Sequence, residues 1–214
     1  MPSNLTLYHC PNSRSTGVIA LLEALQAPYD LHVMNMKLGE NRQAAYLAVN
    51  PMGKVPAIRH DDAIVTEQVA IYIYLADLFP DAQLAPPPGD AQRGAYLRWM
   101  AFYGSCFEPA IIDRWLQRTV ADKATTGYGD FDDVFNTILG QLAHGPYLLG
   151  ERFSALDVLW GSALGWMDAF DLLPKRSEIA DYVARIGSHP AMVAAGQKDQ
   201  ALAAEQAQVQ AQQK

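Results

Sequence analysis

Asn50-Pro51-Met52-Gly53-Lys54-Val55-Pro56 is followed, ten residues after its last proline, by Thr66-Glu67-Gln68 at the head of an apolar run. Between them, Val55–Ile58 and Ala63–Val65 read as two short strands joined at the polar turn His60-Asp61-Asp62. Proline lacks a ladder donor and is awkward inside a strand. Pro56 therefore fits a strand start, is compatible with a cis peptide, and leaves the backbone of Val55 open to a ligand. Thr66 is expected as the N-cap of the next helix, with Glu67 and Gln68 in its first turn, where free N–H groups and the helix dipole favour an anion. The segment can build a site for a small peptide-like anion, with backbone pairing at Val55 and a helix start at 66–68.

This pattern resembles the glutathione transferase family, whose amino-terminal half carries Asn-Pro-x-Gly-Lys/Gln-Val-Pro and then Glu-Ser at a helix start. The chain matches the first element fully and departs in the second, where Gln68 replaces the usual serine. The resemblance covers nearly the whole chain. It implies an α/β thioredoxin-like N-terminal domain plus an all-α C-terminal helical domain.

Composition agrees with a soluble globular protein. The 214 residues are 50% hydrophobic and 18% charged, enough for one large or two small domains. A net charge of −7 argues against nucleic-acid binding. No window approaches the roughly 18 apolar residues of a membrane span. The amino-terminal residues enter a strand pattern, Leu5–His9, without a basic region and apolar run, so no leader is expected. Cys10 and Cys106 do not form a disulfide framework. Cytoplasmic residence is the simplest expectation.

Along the chain, strand 5–9, helix 17–25 and strand 29–34 form a right-handed βαβ unit. A short helix over 42–49, the 55–65 hairpin and a helix over 67–79 complete a domain of residues 1–80. Residues 81–89, with three consecutive prolines, make a stiff linker. The helical domain spans 90–214. It has a long helical stretch over 90–119 that Pro109 should kink or break and a helix over 130–144. Phe153-Ser154-Ala155-Leu156-Asp157-Val158 then carries an N-cap, an acidic capping box and a hydrophobic staple. The same local motif opens a core helix in glutathione transferases, so Asp157 is assigned to folding, not catalysis. Trp115, Trp160 and Trp166 are expected to pack, and the Ala- and Gln-rich tail from Ala191 is read as a final fraying helix without function.

A glutathione-using transferase must hold the tripeptide and keep its thiol ionised. Free thiols titrate at roughly 8.5, so a drop of about two units means about 2.7 kcal/mol of extra interaction with the anion. Ser13, Cys10 and Ser15 compete for the sulfur. In serine-type classes the hydroxyl lies six residues after the leucine of strand one, which is Ser13 counted from Leu7; counting back from Tyr29 gives Asn12. Cys10-Pro11-Asn12-Ser13 also resembles the Cys-Pro-x-x element of monothiol glutaredoxins and the omega class, implying thiol–disulfide exchange through Cys10.

The resemblance further implies that Val55 pairs with the cysteinyl moiety, Glu67 and Gln68 bind the γ-glutamyl end, and Lys54 and Arg42 meet the glycyl carboxylate. Tyr103 and Phe107, four residues apart, are candidate wall residues for a small, apolar electrophile. The histidines show no metal-ligand spacing; His9 reads as a strand residue. The expected protein is a bacterial-type, serine-type detoxification enzyme and a homodimer, with glutathione as co-substrate and no metal, nucleic acid or membrane. Two alternatives stand beside it: a glutathione-dependent thiol–disulfide oxidoreductase using Cys10, and a non-catalytic binding module of the same fold.

Overall fold

The computed structural model describes residues 4–120 and 122–212. Strands β1 (Leu5–His9), β2 (Asp30–Val33), β3 (Ala57–His60) and β4 (Ala63–Thr66) form one sheet in the order β2-β1-β3-β4. β1 runs parallel to β2 and antiparallel to β3, which pairs antiparallel with β4. The alternation of β1 buries Leu5, Leu7 and His9 on one face. Helix α1 (Ser15–Ala24) crosses from β1 to β2 and starts two residues earlier than the apolar run suggests. A 3₁₀ turn at Glu40–Arg42 and the short α2 (Ala44–Leu47) precede the Pro51–Pro56 segment, where the Val55–Pro56 bond is cis. Helix α3 (Gln68–Leu78) follows β4.

Thr66 is not the N-cap expected for α3. It ends β4, paired with Ala57, and the cap position falls to Glu67, which makes no side-chain cap bond. Glu67 has φ 67° and ψ 118°, a left-handed conformation that costs a non-glycine residue about 1–3 kcal/mol.

Helices α4 (Arg93–Phe102), α5 (Glu108–Trp115), α6 (Phe131–Leu142), α7 (Ala155–Ala169) and α8 (Ser177–Gly187) build a second compact unit, Gln83–Ser188. The helical backbone does not break at Pro109; it is disturbed one turn earlier. Tyr103–Phe107 form a π-helical turn, which lets Pro109 sit in the first turn of α5, where its missing N–H costs nothing. Trp160 is the hub of the core, with the rings of Phe107, Tyr103 and Trp99 at 4.7, 5.5 and 5.9 Å. Trp115 and Trp166 do not pack as expected; they are 61% and 46% exposed.

The last helix, α9 (Pro190–Gln212), lies on α1 and belongs to the first unit, not to the helical one. Its buried stripe is Ala191, Ala195 and Asp199, at helical spacing. Two alanines let the helix backbone approach α1 closely. Lys198 completes the seam with hydrogen bonds to Glu23 and Tyr29, both at 2.8 Å.

In the helical unit, the capping box at Ser154 is formed, and Asp157 is fully buried. Its carboxylate accepts from Ser154 N (2.9 Å), Leu148 N (2.9 Å), Ser154 Oγ (3.1 Å) and Tyr182 Oη (2.9 Å). Burial pushes its pKa up to about 6 despite these donors. The folded protein thus holds this proton more tightly than the unfolded chain. The carboxyl's contribution is fullest below about pH 4 and is lost as pH rises through about 6. Stability of the wild type minus that of Asp157→Asn should therefore fall across this window in denaturant titrations; a rise would refute the assignment. Asp157→Ala orphans several buried donors and should cost about 3 kcal/mol.

A second prediction concerns Gly161. A Cβ there would lie 2.7 Å from Cβ of Ile186, the branch point of a stiff side chain where α7 meets α8. Overpacking of about 1–3 kcal/mol outweighs the gain of about 1 kcal/mol in helix propensity. Gly161→Ala should lower the urea midpoint, and Ile186→Ala should relieve the crowding in the double variant.

Candidate functional site

The sheet register brings three segments to one end of the first unit. Tyr8 is paired with Ala57, and Ala57 with Thr66. The loop after β1 (residues 10–14), the segment before β3 (Val55-Pro56) and the start of α3 (Glu67-Gln68) therefore emerge side by side. Adjacent strands lie roughly 4.8 Å apart, so the outer two of the three are separated by roughly 10 Å. That equals the reach of about three extended residues.

The middle segment is shaped by side chains. Asn41 Nδ2 donates to Gly53 O at 2.8 Å; Tyr46 Oη and Asn50 Nδ2 donate to Lys54 O at 2.6 and 2.9 Å; Arg42 Nη1 donates to Met52 O at 3.3 Å. Burial pushes the Tyr46 pKa up to about 12, so its hydroxyl stays a donor. Gly53 has φ +61°, and a Cβ there would lie 2.8 Å from Asn41 O and 2.9 Å from Arg42 Nη1. Only glycine fits. Three consecutive carbonyls are thus satisfied locally, and among the described residues the main chain of Val55 makes no hydrogen bond. Lys54 and Arg42 are exposed beside it. The Oε1 atom of Gln68 is buried and without a hydrogen-bond partner among the described residues.

The loop after β1 gathers all three sulfur candidates. Ser13 is half-buried; its Oγ donates to Cys10 O at 2.6 Å and lies 2.7 Å from Ser15 Oγ. Ser15 is fully buried at the start of α1, with its Oγ 2.8 Å from His9 Nδ1 and accepting from Cys10 N at 3.2 Å. Cys10 is half-buried and points its Sγ at Pro11 O, 3.6 Å away.

Two residues at this loop were not legible as functional. His9 is fully buried, and its Nε2 lies 3.2 Å from Asp199 Oδ1. Asp199 also accepts from Thr16 Oγ1 (2.6 Å) and from the N–H of Asn12 (3.0 Å), a residue at φ 57°. Burial raises the Asp199 pKa, but His9, Thr16 and the Asn12 amide together bring it below the usual carboxylate range. The signal for His9 was its place in the alternation Leu5-x-Leu7-x-His9, on the face that is otherwise apolar.

Tyr103 and Phe107 are not wall residues of an open pocket. They are 2% and 0% exposed, packed on Trp160 in the core of the helical unit. Among the described residues no cluster of three or more His, Cys, Asp or Glu is placed to hold a metal. Among the described residues no helix is long and apolar enough to cross a membrane.

Comparison with known proteins matches these features. Residues 3–77 fit the model of the glutathione S-transferase N-terminal domain, and residues 109–185 that of the C-terminal domain. Glutathione S-transferase GstA of Escherichia coli O157:H7 is 29% identical over 147 residues, covering 68% of this chain and 73% of that protein. The crystal structure of a glutathione transferase from Methylococcus capsulatus superposes with a TM-score of 0.77 at 29% identity, over 91% of this chain and 98% of that one. A glutathione transferase homologue from Sulfitobacter, solved with bound glutathione, gives 0.73 at 25% identity, over 92% and 99%. With both family domains matched in order, on a sheet and a helical unit of the corresponding architecture, the chain belongs to the glutathione S-transferase family.

Proposed function

We propose that the protein is a glutathione transferase in which the Ser13 hydroxyl stabilises the glutathione thiolate. The observation that carries this reading is the alignment of three segments at one end of the sheet: a free Val55 backbone, flanked by a helix start and by a hydroxyl-bearing loop. The bound glutathione in the Sulfitobacter homologue supports the same ligand here. Glutathione lies across the strand ends. Its γ-glutamyl end meets the first amides of α3, Glu67 and Gln68. Its cysteinyl unit pairs with Val55, and its glycyl carboxylate faces Lys54 and Arg42. The thiol then reaches the loop after β1 and loses its proton to solvent. Ser13 turns its hydrogen from Cys10 O to the sulfur anion. The thiolate attacks an electrophilic carbon of a small apolar compound, and the leaving group departs with the electron pair of the broken bond.

Ser13 is favoured over Ser15, because Ser15 is fully buried, and over Cys10, whose Sγ faces Pro11 O. We also propose a cytoplasmic homodimer. A shallow, mainly apolar concavity of about 610 Å³ lined by Val65, Ala70, Ile73, Tyr74, Asp77 and Leu78 supports an assembly surface on the first unit, and sedimentation velocity tests it.

A hydrogen bond to a charged group contributes about 1.5–3 kcal/mol, so Ser13→Ala should lower kcat/KM toward an aryl halide by about tenfold to a hundredfold. Cys10→Ala should stay within about twofold of wild type. The reverse pattern, with reduction of glutathione mixed disulfides, would identify a thiol–disulfide oxidoreductase; glutathione binding with neither activity would identify a binding module. Gly53→Ala must shift Lys54 and Val55, and calorimetry should show glutathione affinity weakened at least several-fold in a folded protein.

A further inference from the structure

The contacts behind Ser13 form a continuous chain. Asp199 Oδ1 faces His9 Nε2 at 3.2 Å, His9 Nδ1 meets Ser15 Oγ at 2.8 Å, Ser15 Oγ meets Ser13 Oγ at 2.7 Å, and Ser13 Oγ meets Cys10 O at 2.6 Å. Three of these contacts are hydrogen bonds and need a hydrogen each; the fourth, His9 Nε2 against Asp199 Oδ1, is off hydrogen-bond geometry but without a hydrogen sets two lone pairs against each other. Two carboxylate or carbonyl ends supply none. Two hydroxyls supply one each. A neutral imidazole supplies one more, which leaves the chain one hydrogen short and two lone pairs pressed together at 3.2 Å or less. A doubly protonated imidazole supplies the fourth.

Ser15 Oγ also lies 3.2 Å from Cys10 O and accepts from Cys10 N at 3.2 Å, so the shorter contacts set the direction of the chain. Ser13 gives its hydrogen to Cys10 O, so Ser15 must donate to Ser13, and His9 Nδ1 must donate to Ser15. His9 Nε2 carries the remaining hydrogen toward Asp199. That approach lies off the line of a good hydrogen bond, as befits a contact held by charge. Asp199 is suited to the role: burial opposes its ionisation, but the Thr16 hydroxyl and the Asn12 amide also donate to it. The charged or titratable partner placed against His9 is this carboxylate from α9; α1 contributes the Ser15 hydroxyl, and Met34, just after β2, donates its N–H to the His9 carbonyl.

We propose that His9, held doubly protonated by Asp199 of the last helix, directs the Ser15 and Ser13 hydroxyls outward, so that the Ser13 hydrogen is presented to the sulfur of bound glutathione. The proposal rests on the assignment of Ser13 to the thiolate. His9 and Asp199 are positioning residues: neither touches the sulfur. With every site in the chain already protonated, none can accept the thiol proton, so the chain stabilises the anion and does not act as a base. When sulfur arrives, Ser13 exchanges Cys10 O for it and the other three contacts stay as they are.

The test is the ionisation of glutathione bound to the full-length protein, read from thiolate ultraviolet absorbance against pH, for wild type, Ser13→Ala and Asp199→Asn. Both variants should move the midpoint upward, Asp199→Asn by about one pH unit, a tenfold change in the thiol ionisation constant. Glutathione affinity measured at acidic pH, where the thiol is protonated, should stay within about twofold. An upward shift in Ser13→Ala with none in Asp199→Asn overturns the proposal and leaves the Ser13 assignment standing. No shift in either overturns both. Should Asp199→Asn fail to fold, nitrogen NMR of wild-type His9 decides independently: two protonated ring nitrogens at neutral pH support the chain, and one bare nitrogen refutes it.

Discussion

Three main-chain carbonyls in a row, those of Met52, Gly53 and Lys54, are held by side chains and not by a neighbouring strand. This constraint explains much of the first unit. A segment whose acceptors are already occupied cannot zip into the sheet, so β3 begins only at Ala57. The residues before it run along the end of the sheet as an open edge. An open edge with unpaired backbone groups invites another strand; here Val55 keeps that capacity, and so short an edge suits a short extended peptide better than it suits a second protein.

Buried carboxylates organise both units by the same means. Asp157 joins the start of α7 to Leu148 and Tyr182, and Asp199 joins α9 to the loop after β1. Each accepts from main-chain and hydroxyl donors that would otherwise be orphaned in the interior. Their surroundings differ in what they leave over. Asp157 has donors on all sides and ends in a closed network. Asp199 also faces an imidazole, and through it the network continues outward to a half-buried hydroxyl.

The elements that rest on local chemistry were legible in the chain. The alternation of β1, the Pro- and Gly-bearing approach to β3, the polar turn of the hairpin, the capping box at Ser154 and the helix irregularity before Pro109 each depend on a few adjacent residues, and each is found within a residue or two of its expected place. Thr66 misled because a good cap residue also suits a strand, and pairing with Ala57 won. Tyr103 and Phe107 misled because an aromatic pair at helical spacing lines a pocket or fills a core with equal ease; the ring of Trp160 decided for the core. Most opaque was α9. Its contact stripe is alanine and one aspartate, too small and too polar to show as amphipathic. Asp199 reads as a solvated charge until α1 is seen beneath it.

The Asn12 amide and the Asp199 carboxylate that binds it are 187 residues apart. A ribosome making this chain from its amino end releases the whole sheet, its crossover helix and every strand-end segment well before the anchor for that loop exists. Until α9 emerges, the loop after β1 lacks its Asp199 contacts while the neighbouring backbone edge is already assembled. The geometry of the candidate site is therefore completed only once α9 has been made, after both the sheet and the helical unit.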